Sequence, residues 1–484
     1  MNRAGPPLEL LRGALAGREA WLVGGAVRDR LLGRPGAGLD LDLALAGDVA
    51  QAAAAVRAAA PRGTAAFPLS EEFGGWRLVG PGGAWQVDLS PLQGGTIEED
   101  LRRRDLRVNA LAEPLAGGAP IDLGGGLEDL AARRLRMVAP TAFGDDPLRV
   151  LRLARLAVEL GFTVDPQTAA TARAHAAGLA GVAGERVFAE LRRVVGADDA
   201  LGGIALLDDL GATAVALPEL EALRGVGQTV YHHRDVHGHT LEVLAETIVL
   251  ERDPEAAVGD EHADAVAALL AEPLADDLTR GGALRWGALL HDIAKPVTRT
   301  DMGEGRIGFP HHDREGAAMS RAILGRMHAS ERLRAHVAAL ARHHLRLGFL
   351  VHERPLSRRQ VHRYLVACTP VAADVTLLGI ADRLATRGRK HEEAIARHLE
   401  VALPMLGDAL AWHADGPPAP LVRGDELAGA LGIEPRPSTR ARSPPSTRRS
   451  TRAGACCWAT PPSRSPVAGS RRRRRECSRR PSRG

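Results

Sequence analysis

The run GLDLDLAL, residues 38–45, alternates apolar and acidic side chains with a period of two. That period marks a half-buried strand, with Asp40 and Asp42 on one face and Leu39, Leu41 and Leu43 on the other. Two steps of ~3.3 Å separate the acids by about 6–7 Å along the backbone, close enough to share a hard cation such as Mg²⁺. Just upstream, WLVGGAVRDR carries an apolar run into a Gly-Gly turn followed by Arg28. Solvated acids on an exposed strand require no function. Beside a glycine turn whose N–H groups, with Arg28, suit phosphate oxygens, the pair fits a nucleotide-transfer site. The glycines match neither G-x-x-x-x-G-K-[ST] nor G-x-G-x-x-G, which disfavours a P-loop or dinucleotide fold.

The pattern around this run predicts an α/β or α+β domain over residues 1–140, with short β-like runs (AWLVGG, LDLDLAL, WRLVG, WQVDLS) between helical stretches. Asp88 in WQVDLS is a candidate third carboxylate. Residues 141–225 turn helical, residues 226–390 are helical and rich in histidine, and 391–435 form a helical C-terminal segment. From Arg436 to Gly484 the hydrophobic periodicity ends, and this stretch is expected to be disordered.

Charge sharpens that boundary. The chain carries +4 overall. Fifteen arginines against Glu476 alone give +14 beyond residue 435, which leaves about −10 for residues 1–435. A mildly acidic body restricts any nucleic-acid contact to a local patch. Lysine occurs only at Lys295 and Lys390, so 61 of the 63 basic residues are arginine, suited to bidentate phosphate recognition. Three of the four cysteines lie in the tail and only Cys368 in the body, so no disulfide framework is implied. With no signal-peptide core and no apolar run of ~18 residues, the expectation is a cytoplasmic protein that does not meet a membrane.

VGGAVRD, LDLDLA, VDLS, EEDLRRRDLRVNALA and DDPLRVLRLARLAVELGF follow one another in the order and approximate spacing of a known family. Residues 20 to 435 resemble the bacterial tRNA nucleotidyltransferase/poly(A) polymerase family, the class II CCA-adding enzymes. The resemblance implies a polymerase-β-like nucleotidyltransferase head, an all-α neck and a helical HD domain. It implies that Gly25 and Arg28 bind the triphosphate and that Asp40 and Asp42 hold Mg²⁺; Asp88, from its own alternating run on an adjacent strand, would complete the carboxylate triad. It further places Arg104, Asp105 and Asn109 near the nucleotide.

In DDPLR, Asp146 and Arg149 lie three apart at a helix start and are expected on one face. A carboxylate accepts and a guanidinium donates. Cytosine and adenine each offer an amino donor beside a bare ring nitrogen, so the pair fits C and A. For U or G the mismatched groups cost on the order of 1–3 kcal/mol each. The family is understood to select CTP and ATP in this way; Asp145 stands where many members have Glu. Arg152 and Arg155 spiral off that face by about −60° per three-residue step and are assigned to triphosphate or tRNA-backbone contacts.

The segments YHHRDVHGHTLEVL, LLHDIAKP, FPHHDREGA, RHHL and IADRLA resemble the HD phosphohydrolase pattern. His239, His291, Asp292 and Asp382 are candidate ligands for a divalent metal (Mg²⁺, Mn²⁺, Ni²⁺ or similar), with His312 and His344, or its neighbour His343, for a second. The expected reaction is addition of CMP and AMP from CTP and ATP to the 3′ end of tRNA. The rivals are a poly(A) polymerase, an A-only or C-only enzyme, an HD phosphohydrolase with an inactive head, and a non-catalytic RNA-binding protein. The tail RPSTRARSPPSTRRS has the composition of out-of-frame GC-rich DNA, so a frameshift near residue 436 is expected; the rival is an RNA-binding arm.

Overall fold

A computed structural model describes residues 7–34, 38–69, 74–229, 231–304, 306–417, 422 and 424–433. The Arg-rich tail from Arg436, and with it the frameshift expectation, lies outside the described residues. The chain divides into two units, Met1–Pro418 and Ala419–Gly484, and in the second the described residues form the helix Gly424–Leu431.

The head is a seven-stranded sheet: β1 (Ala20–Val23), β2 (Asp40–Leu45), β3 (Ala65–Pro68), β4 (Trp76–Val79), β5 (Gln86–Pro91), β6 (Leu111–Pro114) and β7 (Ile121–Asp122). The strand order is β3-β4-β5-β2-β1-β6-β7, with β2 and β5 parallel and the other pairs antiparallel. Leu22, Leu41, Leu43, Leu78, Val87 and Leu89 point to one face and are buried. Helix α1 (Pro7–Ala14) and α2 (Gly25–Leu31) contribute Leu11 and Val27 to this core, and α3 (Val49–Ala59) packs on β4 and β5 through Val56 and its alanines. Leu39 departs from the expected alternation. It precedes the strand and is 52% exposed, because the ladder holds Asp40 onward in the sheet.

The opposite face has a smaller core of Val23, Ala44 and Ala112 under Ile97 and Leu101 of α4 (Ile97–Arg102). That cover stops at Ala44, so Asp40 and Asp42, further back on the same face, stay open to solvent. Truncating the main core is a direct test of this layering. Leu43→Ala should destabilise the head by about 2–5 kcal/mol, read from denaturant melts.

The neck follows α5 (Gly126–Ala131) and a short helix α6 (Ala142–Asp145). Helix α7 (Arg149–Leu160) ends at Gly161, whose φ of 65° is the left-handed conformation that suits glycine. It packs against both α8 (Pro166–His175) and α9 (Gly184–Gly196), and Val187, Leu191 and Val194 of α9 line one stripe.

The histidine-rich region is a helical bundle around the fully buried Trp286, built largely from Val236–Arg252, Arg280–Leu290, His312–Arg326, Glu331–His343 and Ala372–Ala385, with His391–Asp415 packed on the last. His398 is buried, and burial pushes its pKa down to about 4. The unfolded chain therefore takes up a proton near pH 6.5 that the folded one refuses, and stability falls as pH drops from about 6.5 to 4. His398→Leu should flatten that acid limb in pH-dependent melts, by on the order of 1–3 kcal/mol.

Among the described residues no single helix is long and apolar enough to cross a membrane. The bent pair Arg358–Cys368 and Ala372–Ala385 qualifies jointly by length and composition, but most of its second helix is interior to the bundle.

Candidate active site

Asp40 and Asp42 project from β2 into a cleft of about 1510 Å³ that the head shares with the neck and with Glu251, Thr279 and Arg285 of the histidine-rich region. Eleven arginines and ten carboxylates line it. In a body carrying about −10, this makes the cleft locally suited to an anionic substrate. Desolvation, then repulsion from Asp88 and Asp40, pushes the pKa of Asp42 up to about 6. The residue remains open to cleft solvent, so the crowding of like charges is the firmer of the two causes. Carboxylates that repel one another are the donor set a divalent cation relieves.

Asp88 sits directly across from Asp42 in the β2–β5 register. Both of its oxygens accept from Arg77, Nε and Nη2 each at 2.7 Å, and Asp88 is not among the residues lining the cleft. The structure thus brings the third acid to the pair but under a guanidinium.

The turn is built by necessity from glycine. Gly24 has φ 68°, and a Cβ there would meet Nη1 of Arg104 at 2.9 Å and Oδ2 of Asp42 at 3.9 Å. Helix α2 begins at Gly25. Arg28 is only 7% exposed. Its Nε and Nη2 donate to Asp29 and its Nη1 to Oδ1 of Asn109, so it braces the turn more than it reaches outward. Asn109 Nδ2 donates to Asp105 at 3.0 Å. Burial would raise Asp105, but Arg152, Asn109 and the Leu106 N–H outweigh it and hold the carboxyl below its ordinary range. Asp100 fixes Arg104 through Nε at 3.0 Å and Nη2 at 2.8 Å.

The selecting pair is not assembled as the spacing suggested. Pro147 forces the preceding residue out of helical backbone, so Asp146 is extended (φ −147°, ψ 101°) and α7 starts only at Arg149. The Asp146 carboxylate pairs with Arg186 at 2.8 Å and does not line the cleft. Arg149 does, but its Nη1 and Nη2 donate to the carbonyls of Ala142 and Arg103. Arg152 and Arg155 are not a solvated stripe. They converge on Glu190, at 3.3 and 2.5 Å, and Arg152 also reaches Asp105 across to the head. Glu190 was missed by sequence reasoning. Its signal was an acid on the apolar stripe of α9, three after Val187 and four before Val194.

A second cluster lies in the histidine-rich region. Asp292 Oδ2 is 3.1 Å from Nε2 of His291 and 3.9 Å from that of His239, which meets Asp382 at 3.0 Å. Its Oδ1 is 3.4 Å from His312 and 3.6 Å from His344. The ligand atoms fall into two groups, His239–His291–Asp292 and Asp292–His312–His344, each within 4.8 Å. Nδ1 of His291, His312 and His344 each face a backbone carbonyl three residues back, at 2.7–2.8 Å. A carbonyl only accepts, so Nδ1 carries the proton and Nε2 turns a lone pair to the cluster. Nε2 of His291 and His312 and Oδ1 of Asp292 are buried without hydrogen-bond partners among the described residues, which fits a divalent cation. His343 instead accepts from Arg346. Lys295, three after Asp292, was overlooked; its Nζ is 2.6 Å from Asp292 and from Gln228.

A cleft with paired carboxylates on the central strand of the sheet, backed by a helical neck and joined to a histidine–aspartate bundle, defines a nucleotidyltransferase with an HD domain. The sequence matches the families described as Poly A polymerase head domain over residues 82–136, Probable RNA and SrmB-binding site of polymerase A over 161–223, and HD domain over 259–387. An A-adding tRNA nucleotidyltransferase of Deinococcus radiodurans is 38% identical over 424 residues, 86% of this chain and 88% of that protein. A CC-adding tRNA nucleotidyltransferase of Thermus thermophilus is 37% identical, covering 87% of each. The fold is similar to that of a Thermotoga maritima CCA-adding enzyme complexed with tRNA, at TM-score 0.56 and 17% identity, over 91% of this chain and 89% of that one. The chain belongs to the bacterial tRNA nucleotidyltransferase/poly(A) polymerase family.

Proposed function

We propose that this enzyme adds CMP and AMP from CTP and ATP to the 3′ end of tRNA, releasing pyrophosphate. The observation that carries this is the pair Asp40 and Asp42 beside the Gly24–Gly25 turn in an arginine-lined cleft. Both acids would hold Mg²⁺, which when bound lowers the pKa of the attacking 3′ hydroxyl and neutralises charge on the triphosphate. Arg104 and the turn's N–H groups beyond Gly24, whose own N–H donates to Leu111, would meet the triphosphate, and the Arg28–Asn109–Asp105–Arg152 chain keeps turn and neck in register. Base selection by Asp146 and Arg149 requires Asp146 to leave Arg186 and Arg149 to leave its carbonyls when the nucleotide enters. The single cysteine among residues 1–435 fits a reducing compartment, and work in the cytoplasm is part of this proposal.

Incubating tRNA lacking its 3′ terminus with each NTP and sequencing the products tests the reading. C and A are expected. Incorporation of U or G as readily contradicts it, and products ending in A only or C only would make this a partial adder, as its relatives' names describe for them.

A second reading rests on the histidine–aspartate cluster. Its donors fit a divalent cation that activates water on a phosphate ester, so the HD domain is also proposed to hydrolyse phosphate at RNA ends.

A further inference from the structure

Arg77 belongs to none of the motifs, yet it completes a row. It stands opposite Asp88 in the β4–β5 register, and Asp88 stands opposite Asp42 in β2–β5, so the three occupy one line across adjacent strands. The fork from Nε and Nη2 occupies both Asp88 oxygens. The guanidinium is the more open partner, at 33% side-chain exposure against 17% for Asp88, and Arg77 lines the cleft with Asp40 and Asp42. Its Nη1 has no acceptor among the described residues.

Two consequences follow from charge and geometry. A bidentate guanidinium occupies one lone pair on each Asp88 oxygen and offsets its charge, so Asp88 is a poorer cation ligand than a free carboxylate. With Asp88 and Arg77 offsetting one another, Asp40 and Asp42 leave a formal −2, which one divalent cation balances, and the Nη1 edge at the cleft is then a donor for an anion.

We infer that Asp88 is the anchor of Arg77, not a cation ligand, and that Arg77 binds a phosphate oxygen of the reacting substrates. The inference rests on the nucleotidyltransferase reading. The oxygen belongs either to the incoming triphosphate or to the last phosphate of the RNA; both present the same chemistry.

Binding of CTP, ATP and 3′-truncated tRNA to the full chain in EDTA, with no metal, separates these. Arg77→Leu should weaken one class of ligand by about tenfold or more, and which class weakens identifies the oxygen. Arg77→Lys, which keeps the charge and loses the fork, should fall between, and it serves should the leucine variant not fold. Asp88→Asn is the decisive arm. Removing a negative charge near an anion ordinarily tightens binding; if Asp88 anchors Arg77, binding weakens as in Arg77→Leu, while the Mg²⁺ concentration giving half-maximal addition stays put. Tighter or unchanged binding in Asp88→Asn, a raised Mg²⁺ requirement, or wild-type affinity in Arg77→Leu overturns the inference. Failure of the wild-type chain to bind or add nucleotides would instead remove the nucleotidyltransferase reading itself.

Discussion

Asp42→Asn is expected to lower nucleotide addition by at least about a thousandfold while leaving thermal stability near that of the wild type. The size follows from the several kcal/mol that metal neutralisation of a developing phosphoryl charge contributes, each 1.36 kcal/mol being about tenfold. The fold should tolerate the change because Asp42 faces the cleft, is isosteric with Asn, and has like-charged neighbours whose repulsion the change relieves. Asp40→Ala should match it in activity. Both should spare any hydrolysis by the HD domain, whose cluster is formed by other residues. Primer extension with radiolabelled ATP and CTP gives the first readout and hydrolysis of a 2′,3′-cyclic phosphate the second. Addition within tenfold of wild type would show that the pair does not hold the metal.

The second large effect concerns Asp292. It is the residue common to both ligand groups, so Asp292→Asn should remove bound divalent metal from the histidine-rich region, and with it hydrolysis, by about a hundredfold or more. Lys295 loses its carboxylate partner at the same time and is left buried beside histidines. A buried cation stripped of its counter-charge costs about 3–5 kcal/mol, so this variant should also melt earlier. His291→Ala separates the effects, since it removes a ligand and keeps the Asp292–Lys295 pair. Metal content by elemental analysis, set against the Asp42→Asn chain, assigns the loss to this cluster. Nucleotide addition should persist in both HD variants.

Strand positions and the acid pair were legible because period-two alternation is a local property. Asp40 and Asp42 share a face whatever surrounds them, and the ladder needed only to start at the right residue. Leu39 shows the limit, because the alternation extends one residue beyond where pairing with β5 begins. The expectation that Asp146 and Arg149 share a helix face failed for a reason also present in the chain. A three-residue spacing implies a helix face only if the helix has begun, and Pro147 delays it. His344 over His343 could not be chosen from adjacent letters, since which imidazole turns inward depends on the bundle.

Covalent sequence alone determined the class of chemistry: acids two apart on a strand, a Gly-Gly turn ahead of an arginine, and histidines with aspartates in HD order. Tertiary structure decided which charges meet. Arg77 with Asp88, Arg152 and Arg155 with Glu190, and Asp146 with Arg186 are pairs between separate elements. Local periodicity says which face a side chain takes, but an ion pair depends on what the opposing element places within about 3 Å, and that is set only when the elements pack.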